Sequence, residues 1–308
     1  MLNWCRFMQN KAVRVVCVVV TYNPEIEKLF DCLKSISDNS VNIVLVDNGS
    51  SKCDDFLSLK NEIPRLEVIS LPDNAGIAEA QNIGIRKSFE LSPDFIWLSD
   101  QDSVYPNDFI SKMLVGVEGL DETRLDRLAA IGPAFYDTNT GCLQDAVVIS
   151  PNFSRFKVEK GLNQASHIIA SGMVIPIQAF KKVGMKNSEL FIDWVDTEWC
   201  WRAKRKGLDI YIFGSVVMNH TLGDWFRPFF GKKVIIRSSF RHYFMVRNEI
   251  YLALYAKGLP LVARIEMILR GTARVLIIPF LVKDGKFRYL NNGVRGLCHG
   301  LIKKLGNP

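Results

Sequence analysis

One apolar run near the N-terminus limits the folds available to this chain. Residues 13–20 read V-R-V-V-C-V-V-V, a nearly continuous stretch of β-branched side chains. Such a run is typical of a strand that is buried on both faces, as the strands of parallel sheets are. The sequence T-Y-N-P at 21–24 then ends the strand, and Pro24 suits the first turn of a helix.

The alternation of strand and helix continues through the first hundred residues. The apolar spacing predicts further strands at 42–46, 66–70 and 95–98, and helices at 25–37 and 77–89. Four alternations predict a doubly wound, mostly parallel α/β sheet. Each predicted strand ends in a polar cluster, and ligands of such sheets bind at the carboxyl ends of the strands. The four clusters are T-Y-N-P, V-D-N-G-S, D-N-A-G and S-D-Q-D-S.

The remaining two thirds of the chain are less regular. The predicted strands there are 129–131, 146–149, 167–175 and 210–217, and a helix is predicted at 194–206. Helices are predicted from residue 237 onward, with breaks at 258–260 and 284–285, where glycine and proline or aspartate and glycine interrupt the pattern.

The charge of the chain is divided unevenly. Residues 227–308 contain 16 Lys and Arg against 3 Asp and Glu, a net charge of +13, within a total of +7. The first 226 residues therefore carry −6. The basic residues alternate with Leu, Ile, Phe and Tyr, and no nucleic-acid module is recognisable. The pattern favours an anionic membrane surface over nucleic acid. Alternatively, these helices pack on the core and their charge is simply solvated.

Cysteines and hydropathy indicate a reduced, cytoplasmic setting. The seven cysteines are odd in number and lack C-x-x-C spacing, so neither a zinc site nor a disulfide framework is indicated. No secretory signal is recognisable at 1–13. The most apolar long segment, 259–282, is interrupted by four charged residues, so we expect no membrane span.

Asp100 and Asp102 follow a predicted strand in D-Q-D-S and suggest a metal site. Two carboxylates at this spacing can hold one hard cation if the backbone turns between them, and the cation can then clamp a diphosphate. A solvated acidic turn is the plainer alternative.

Two other strand exits suggest nucleotide contacts. Asp47 can accept the imide N–H of uracil or thymine, or it can merely start a turn. The segment Asp73-Asn74-Ala75-Gly76 offers backbone N–H groups at a helix start, which suit phosphate or ribose, although a simple helix cap has the same sequence.

Three acids lie among aromatic residues at Asp193, Asp196 and Glu198. A carboxylate in a partly dry pocket can act as the base that deprotonates a sugar hydroxyl. The same acids would also favour a helix N-terminus through the helix dipole. His220, after another strand, can be a metal ligand, a phosphate contact or a structural residue.

Together these motifs resemble a known family. T-Y-N-P, V-D-N-G-S, D-N-A-G-I-A-E-A-Q-N-I-G and D-Q-D-S, in this order, are similar to the nucleotide-binding half of family-2 glycosyltransferases of the GT-A fold. L-S-D-Q-D-S at 98–103 and F-I-D-W-V-D-T-E-W-C-W-R at 191–202 resemble in particular the bacterial dTDP-rhamnosyltransferases that build O-antigen and related polysaccharides. The resemblance covers roughly 13–224, and R-H-Y-F-M-V-R-N-E-I-Y at 241–251 is similar more loosely.

The resemblance implies a role for each matching residue. The donor-binding residues would be Thr21, Tyr22, Asn23, Asp47, Asp73, Asn74, Gly76 and Asp100. Asp102, with Asp100 and His220, would bind Mg²⁺ or Mn²⁺. Val195 replaces the Glu of the Glu-Asp pair that many members have, so Asp196 aligns as the base, with Glu198 and Asp193 as alternatives. The acceptor side would include Ser171, Gly172, Trp194 and Trp199.

The implied protein is an inverting transferase at the inner face of the cell membrane. Residues 1–226 would form the GT-A catalytic domain, with a nucleotide-binding half at 13–105 and an acceptor half at 106–226. Residues 227–308 would form a basic, helical, membrane-associating segment. The donor would be dTDP-L-rhamnose and the acceptor a polyprenyl-diphosphate-linked glycan, with peripheral contact to anionic lipid and none to nucleic acid.

The sequence leaves other donors and one other class of function as alternatives, and it disfavours two other enzyme classes. UDP-galactose or UDP-glucose are alternative donors within the same family. A catalytically inactive nucleotide-sugar-binding scaffold is an alternative of another class, although such a protein would be expected to have lost one of its key acids. A nucleotidyltransferase is disfavoured because T-Y-N-P-E lacks a glycine-rich phosphate loop, and a glycosidase would not need the nucleotide motifs.

Overall fold

The computed structural model describes residues 13–51, 55–137, 141–149, 153–220, 225–229 and 232–307. Its strands are β1 Val15–Thr21, β2 Asn42–Asp47, β3 Leu66–Ser70, β4 Phe95–Asp100, β5 Leu128–Asp137, β6 Cys142–Leu143, β7 Ala146–Ile149, β8 Phe153–Phe156, β9 Leu162–Ala165, β10 Met173–Pro176, β11 Asp209–His220, β12 Trp225–Phe229 and β13 Lys232–Ile236. Its α-helices are α1 Ile26–Ser37, α2 Asp55–Glu62, α3 Ile77–Ser88, α4 Phe109–Glu118, α5 Glu122–Asp126, α6 Ile177–Val183, α7 Val195–Arg205, α8 Ser239–Tyr255, α9 Leu261–Leu281 and α10 Lys286–Leu301.

A mixed central sheet organises the fold, in the order β3-β2-β1-β4-β10-β5-β11-β9, with β6 beside β5. Strands β1 to β4 are parallel, as the sequence predicts. Strand β10 runs antiparallel between β4 and β5, and β11 is parallel to β5. The predicted doubly wound, mostly parallel sheet is confirmed.

The two faces of β1 explain why its sequence is apolar without interruption. Val15, Cys17 and Val19 join the core cluster that α1 and α4 cover, whereas Val16 and Val18 join the cluster on the opposite face, which α3 and α7 cover. Successive side chains of a strand point to opposite faces, so a strand with helices on both sides needs an apolar residue at every position.

The prediction of a strand over 167–175 is wrong in its first part. Only Met173–Ile175 of that range pair in the sheet, as part of β10. Residues 167–172 form a loop that turns at Gly172, which has φ +81. The apolar residues of this loop, such as Ile168 and Ala170, are buried without belonging to a strand. Burial produced the apolar pattern there, and the pattern does not distinguish a buried loop from a buried strand.

The C-terminal segment begins with the hairpin β12–β13 and continues as three helices. The predicted breaks at 258–260 and 284–285 separate α8 from α9 and α9 from α10. Helix α8 is largely buried, and α9 and α10 pack on it and on each other. Across the described part of the chain, no helix combines the length and apolarity needed to cross a membrane.

Candidate active site

The loops after β1, β2 and β4 meet at the carboxyl edge of the sheet. Gln101 Oε1 accepts hydrogen bonds from the Thr21 hydroxyl (2.9 Å) and the Tyr22 backbone N–H (2.8 Å). The Asn23 backbone N–H donates to the Ser50 hydroxyl at 2.7 Å. Thr21 is buried, whereas the Tyr22 ring is exposed and stands at the rim of this edge. Three predicted donor-binding residues are thus fixed to neighbouring loops rather than to one another.

The loops after β2 and β3 form the next part of the edge. Asp47 is buried, and its carboxylate accepts the Ser50 backbone N–H at 3.1 Å. The Asn48 and Asn74 side chains bond to each other at 3.0 Å, and Asn74 Oδ1 also accepts the Gly76 backbone N–H at 2.9 Å. Asp73, in the same turn as Asn74, is exposed. The predicted nucleotide residues therefore line one continuous edge.

Glycine is required where these loops come closest. A Cβ on Gly49, which has φ +78, would lie 2.5 Å from the Asp73 carbonyl carbon. A Cβ on Gly76, which has φ +84, would lie 2.6 Å from the Phe191 ring. The loop after β3 is therefore in direct contact with the segment that precedes α7.

Asp100 and Asp102 lie at the end of β4 and in the turn that follows, and Asp102 is exposed. Their charges act on the neighbouring thiol: burial raises the pKa of Cys32 to about 12, and the carboxylates of Asp102 and Asp100 contribute in the same direction. Both carboxylates are therefore close enough for their charge to act on the buried Cys32 side chain.

A divalent cation fits this turn only if its substrate completes the ligand set. The described residues contain no group of three or more His, Cys, Asp or Glu arranged to hold a metal. Mg²⁺ is usually bound through one or two carboxylates together with substrate phosphates and water. Asp100 and Asp102 match that arrangement. His220 ends β11, opposite Asp137 in the register, but its side chain lies outside the described residues, so its metal role stays a prediction.

A short chain of contacts links the Asp100–Asp102 turn to Asp196. The Ser103 and Ser171 hydroxyls lie 2.5 Å apart. One residue before Ser171, the Ala170 backbone N–H donates to Asp196 Oδ2 at 3.2 Å. Gly172 continues this loop, and its backbone N–H donates to the Leu98 carbonyl in β4. The sequence-predicted residues Ser171 and Gly172 therefore stand between the acidic turn and Asp196.

Asp196 lies in the first turn of α7 and is held from two sides. Its Oδ1 accepts a hydrogen bond from Lys186 Nζ at 2.9 Å, and the Lys186 side chain is fully buried. A quarter of the Asp196 side chain remains exposed. An ionised carboxylate accepts about four hydrogen bonds, so capacity remains for a substrate hydroxyl.

The two alternative acids pair with arginines and are less exposed than Asp196, although Glu198 Oε2 is buried without a hydrogen-bond partner among the described residues. Asp193 forms a bidentate pair with Arg241, at 2.5 and 3.2 Å. Glu198 accepts from Arg202 Nε at 2.7 Å, and Arg202 donates in addition to two carbonyls of the segment before α7. Both carboxylates are only 12% exposed. The geometry therefore favours Asp196 over Asp193 and Glu198.

The two predicted acceptor-side tryptophans have different environments. Trp194 is partly exposed, lines a cavity of about 240 Å³, and has the Arg270 guanidinium over its ring at 5.5 Å. Trp199 is fully buried, and its indole N–H donates to the Gly184 carbonyl. Trp199 is a core residue, and we do not retain it as an acceptor contact.

His167 is a candidate that sequence reasoning missed. It lines both the cavity beside Trp194 and a second cavity of about 160 Å³ that Ser171 also lines. Its Nδ1 is buried and has no hydrogen-bond partner among the described residues. Burial, together with the charge of Arg270, lowers the pKa of His167 to about 4. The imidazole is therefore neutral at pH 7. No local motif marks a histidine in an apolar loop, and the same holds for the buried Lys186.

Comparison with known proteins agrees with this site. Residues 16–182 match the family model described as glycosyl transferase family 2. The chain belongs to glycosyl transferase family 2. The match spans β1 to α6 and therefore includes the acidic turn and the loop at Ser171. The protein is a glycosyltransferase.

Relatives extend the likeness over the whole chain. The chain is 31% identical to a dTDP-rhamnosyl transferase, RfbF, of Shigella flexneri over 93% of its length and 97% of that protein. It is 23% identical to the low-salt glycan biosynthesis hexosyltransferase Agl10 of Haloferax volcanii, over 99% and 97% of the two chains. The solved structure of Staphylococcus aureus TarS 1–349 with UDP-GlcNAc shares the fold, with TM-score 0.57 and 13% identity over 94% of this chain and 81% of TarS 1–349.

Proposed function

We propose that this enzyme transfers L-rhamnose from dTDP-L-rhamnose to a lipid-linked saccharide. The observation that carries the choice of donor is the 31% identity with a dTDP-rhamnosyl transferase across 93% of the chain. The geometry supports transfer chemistry, since the acidic turn, the loop at Ser171 and Asp196 form one connected site.

The nucleotide lies at the edge formed by the loops after β1, β2 and β3. Asp47 is buried there and accepts the imide N–H of the thymine base, while Thr21, Tyr22 and Asn23 surround the base and ribose. The turn at Asp73–Gly76, together with Asp100, lines the ribose and diphosphate, and its own shape is held by the Ala75 and Gly76 N–H groups, which donate to the Asn48 and Asn74 side chains. Asn48 and Asn74 hold these two loops at a fixed spacing through their mutual hydrogen bond.

Asp100 and Asp102 would hold Mg²⁺ or Mn²⁺ together with the donor diphosphate. When bound, the cation supplies positive charge that neutralises the leaving group. Asp102 is exposed and faces the solvent-filled side of the turn, where a diphosphate has access. Two carboxylates in one turn repel each other, and binding of the cation relieves that repulsion.

Transfer occurs in one displacement with inversion. The acceptor hydroxyl oxygen bonds to C1 of the sugar as the bond between C1 and the diphosphate oxygen breaks, and dTDP carries away the bonding electrons. Asp196 Oδ takes the hydroxyl proton. Lys186 and the Ala170 N–H orient this carboxylate, so that it meets the hydroxyl in a fixed direction. The acceptor enters through the cavities that His167 lines, one of which is also lined by Trp194 and by Thr197, the residue after Asp196.

Calorimetry tests the donor. The purified protein is titrated with dTDP-rhamnose, UDP-glucose, UDP-galactose and GDP-mannose, with and without Mn²⁺. We expect metal-dependent binding of dTDP-rhamnose. Preference for a UDP-hexose, which the likeness to a hexosyltransferase favours, would retain the mechanism and reject the rhamnosyl donor. A folded protein that binds none of the four would favour the alternative of a catalytically inactive scaffold.

We further propose that the enzyme works at the inner face of the cell membrane, where a polyprenyl-diphosphate-linked acceptor is held. Helix α9 presents an apolar face to solvent. Its exposed members recur at helical spacing and are Val262 (50% exposed), Ile265 (49%), Leu269 (65%), Leu276 (60%) and Phe280 (81%). Phe287, at the start of α10, is 87% exposed. Together with the net charge of +13 over residues 227–308, this face fits an anionic lipid surface.

Liposome flotation tests this surface. We expect the protein to float with vesicles of anionic lipid at low salt and less at high salt, since screening weakens the attraction. The double variant Leu269→Glu, Phe280→Glu should remain in solution. Val115→Glu is the matched control, because Val115 is 59% exposed on α4. Equal flotation of the double variant and the control would refute the assignment of this face.

A further inference from the structure

The segment that leads into α7 has an unusual backbone. Phe191, Asp193 and Trp194 have φ values of 65, 61 and 67, a region that residues with side chains rarely adopt. Helix α7 begins at the next residue, and Asp196 is its second residue. Three such residues among four persist only where their surroundings hold them in place.

Asn248, on the buried face of α8, forms some of the contacts that stabilise this segment. Its Nδ2 lies 2.9 Å from the Leu190 carbonyl oxygen, 2.9 Å from that of Ile192 and 3.0 Å from that of Asp193. Asn248 is fully buried. The amide has two hydrogens for three carbonyls, so one hydrogen is shared. A single side chain therefore binds two carbonyls within the stretch 191–194 and the Leu190 carbonyl just before it.

Arg247 forms further contacts that stabilise the segment before α7. Its Nη2 donates to the Glu189 and Leu190 carbonyls at 3.1 and 2.9 Å, and its Nε donates to Asn248 Oδ1 at 2.9 Å. Its Nη1 donates to the Gly306 carbonyl at 2.6 Å. The guanidinium is fully buried and lies over the Phe244 ring at 4.7 Å. The planar guanidinium fixes several carbonyls at once, which a flexible ammonium cannot do.

The held segment also touches the nucleotide edge. The Ala78 N–H donates to the Phe191 carbonyl at 3.3 Å, and the Phe191 ring fills the space where a Cβ of Gly76 would lie. The same segment therefore contacts the proposed donor loop through Phe191 and leads directly into α7 and Asp196.

We infer that Arg247 and Asn248 are positioning residues of the transfer reaction. Asn248 holds the stretch 191–194 directly, and Arg247 supports it through Asn248 and the Glu189 and Leu190 carbonyls, so that both place Asp196 relative to the bound donor without touching the substrate. This inference rests on the proposed role of Asp196 as the base. The competing view is that both residues only anchor α8 to the rest of the protein.

The test compares Asn248→Ala with Ile250→Ala. Ile250 is on the same helix and equally buried, but it packs against Val246 and Val275, away from the stretch 191–194. For each variant, melting temperature, donor affinity by calorimetry and turnover are measured. Turnover is the release of nucleoside diphosphate from the donor that binds, with a total lipid extract of the native cells as the acceptor source. Asp196→Asn is measured in parallel.

We expect Asn248→Ala to lower kcat by about 10–100-fold, because a misplacement of about 1 Å at a reacting group has that effect. Its donor Kd should stay within about threefold of the wild-type value, since the nucleotide edge has its own hydrogen bonds. Ile250→Ala should lower the melting temperature and leave the kcat of the folded protein within about threefold. If Asn248→Ala does not fold, Arg247→Lys replaces it, because it retains the charge but loses the planar donors.

Three results would overturn the inference. One is a normal kcat for Asn248→Ala while Asp196→Asn is inactive. Another is an equal loss of kcat in Ile250→Ala, which would make the effect one of general stability. The third is a loss of donor binding equal to the loss of turnover, which would assign the stretch to the nucleotide. An active Asp196→Asn would instead reject the proposed base, so the two failures are distinguishable.

Discussion

Replacement of Asp196 by Asn tests chemistry and folding together. The variant keeps the shape of the side chain but cannot take a proton from the acceptor hydroxyl. General base catalysis contributes about 10²–10⁴-fold, so we expect turnover to fall by that factor. Donor binding should persist, because the proposed nucleotide residues lie on the loops after β1, β2 and β3 and do not contact Asp196.

The same change removes the partner of a buried charge. The Lys186 side chain is fully buried and lies 2.9 Å from Asp196. Loss of one member of a buried ion pair destabilises a protein by about 3–5 kcal/mol. Because a quarter of the Asp196 side chain is exposed, water can partly replace it, and we expect a loss near or below the lower end of that range.

The double variant Asp196→Asn, Lys186→Met separates the two effects. Lys186 Nζ lies 4.0 Å from the Met173 sulfur and 5.0 Å from the centre of the Trp199 ring, so a methionine has apolar neighbours there. Without the unpaired cation, the double variant should recover most of the lost stability. It should not recover turnover.

Urea denaturation and release of nucleoside diphosphate are the two assays. If stability and turnover both return in the double variant, the effect of Asp196→Asn is structural, and the assignment of the base is refuted. Near-normal turnover of Asp196→Asn would move the base role to Glu198 or Asp193. Those residues can then be examined as Glu198→Gln and Asp193→Asn.

Three further changes have expected outcomes. Asp102→Ala should abolish the Mn²⁺ dependence of donor binding in calorimetry, whereas unchanged dependence would remove Asp102 from the metal site. Gly76→Ala should weaken donor binding and destabilise the protein by about 1–3 kcal/mol, because the residue has φ +84 and its Cβ would meet Phe191. An unchanged melting temperature would contradict this close contact. Burial, with the charge of Arg274, lowers the pKa of His242 from 6.5 to about 4, so the unfolded state binds the proton more readily. Stability should therefore fall between about pH 6.5 and 4, by about 3 kcal/mol from this group, and His242→Phe should reduce the slope of that part of a urea-midpoint profile, whereas the slope contributed by His167, whose pKa is also lowered to about 4, should remain.

Local patterns predicted strands β1 to β4 and helices α1 and α3 of the nucleotide-binding half, but not helix α2. Strand β3 and the hairpin strand β7 were predicted at the residues where they occur, and the breaks between α8, α9 and α10 fall at the predicted glycines. These features depend on side-chain periodicity and on the backbone preferences of single residues. Both can be recognised from residues that are neighbours in the sequence. The loop 167–172 was missed because burial alone made it apolar.

Consecutive side chains are enough to predict the alternation of strands and helices and the polar clusters at the carboxyl ends of the strands. They also predict that three acids, Asp193, Asp196 and Glu198, lie near one helix start. They do not determine which of these acids remains available. Only the tertiary structure pairs Asp193 with Arg241, 48 positions away, and brings Asn248 to the carbonyl of Asp193, 55 positions away. The physical reason is that a charge or an amide is satisfied by whatever the fold places beside it, and such long-range pairs leave no periodic pattern in the chain.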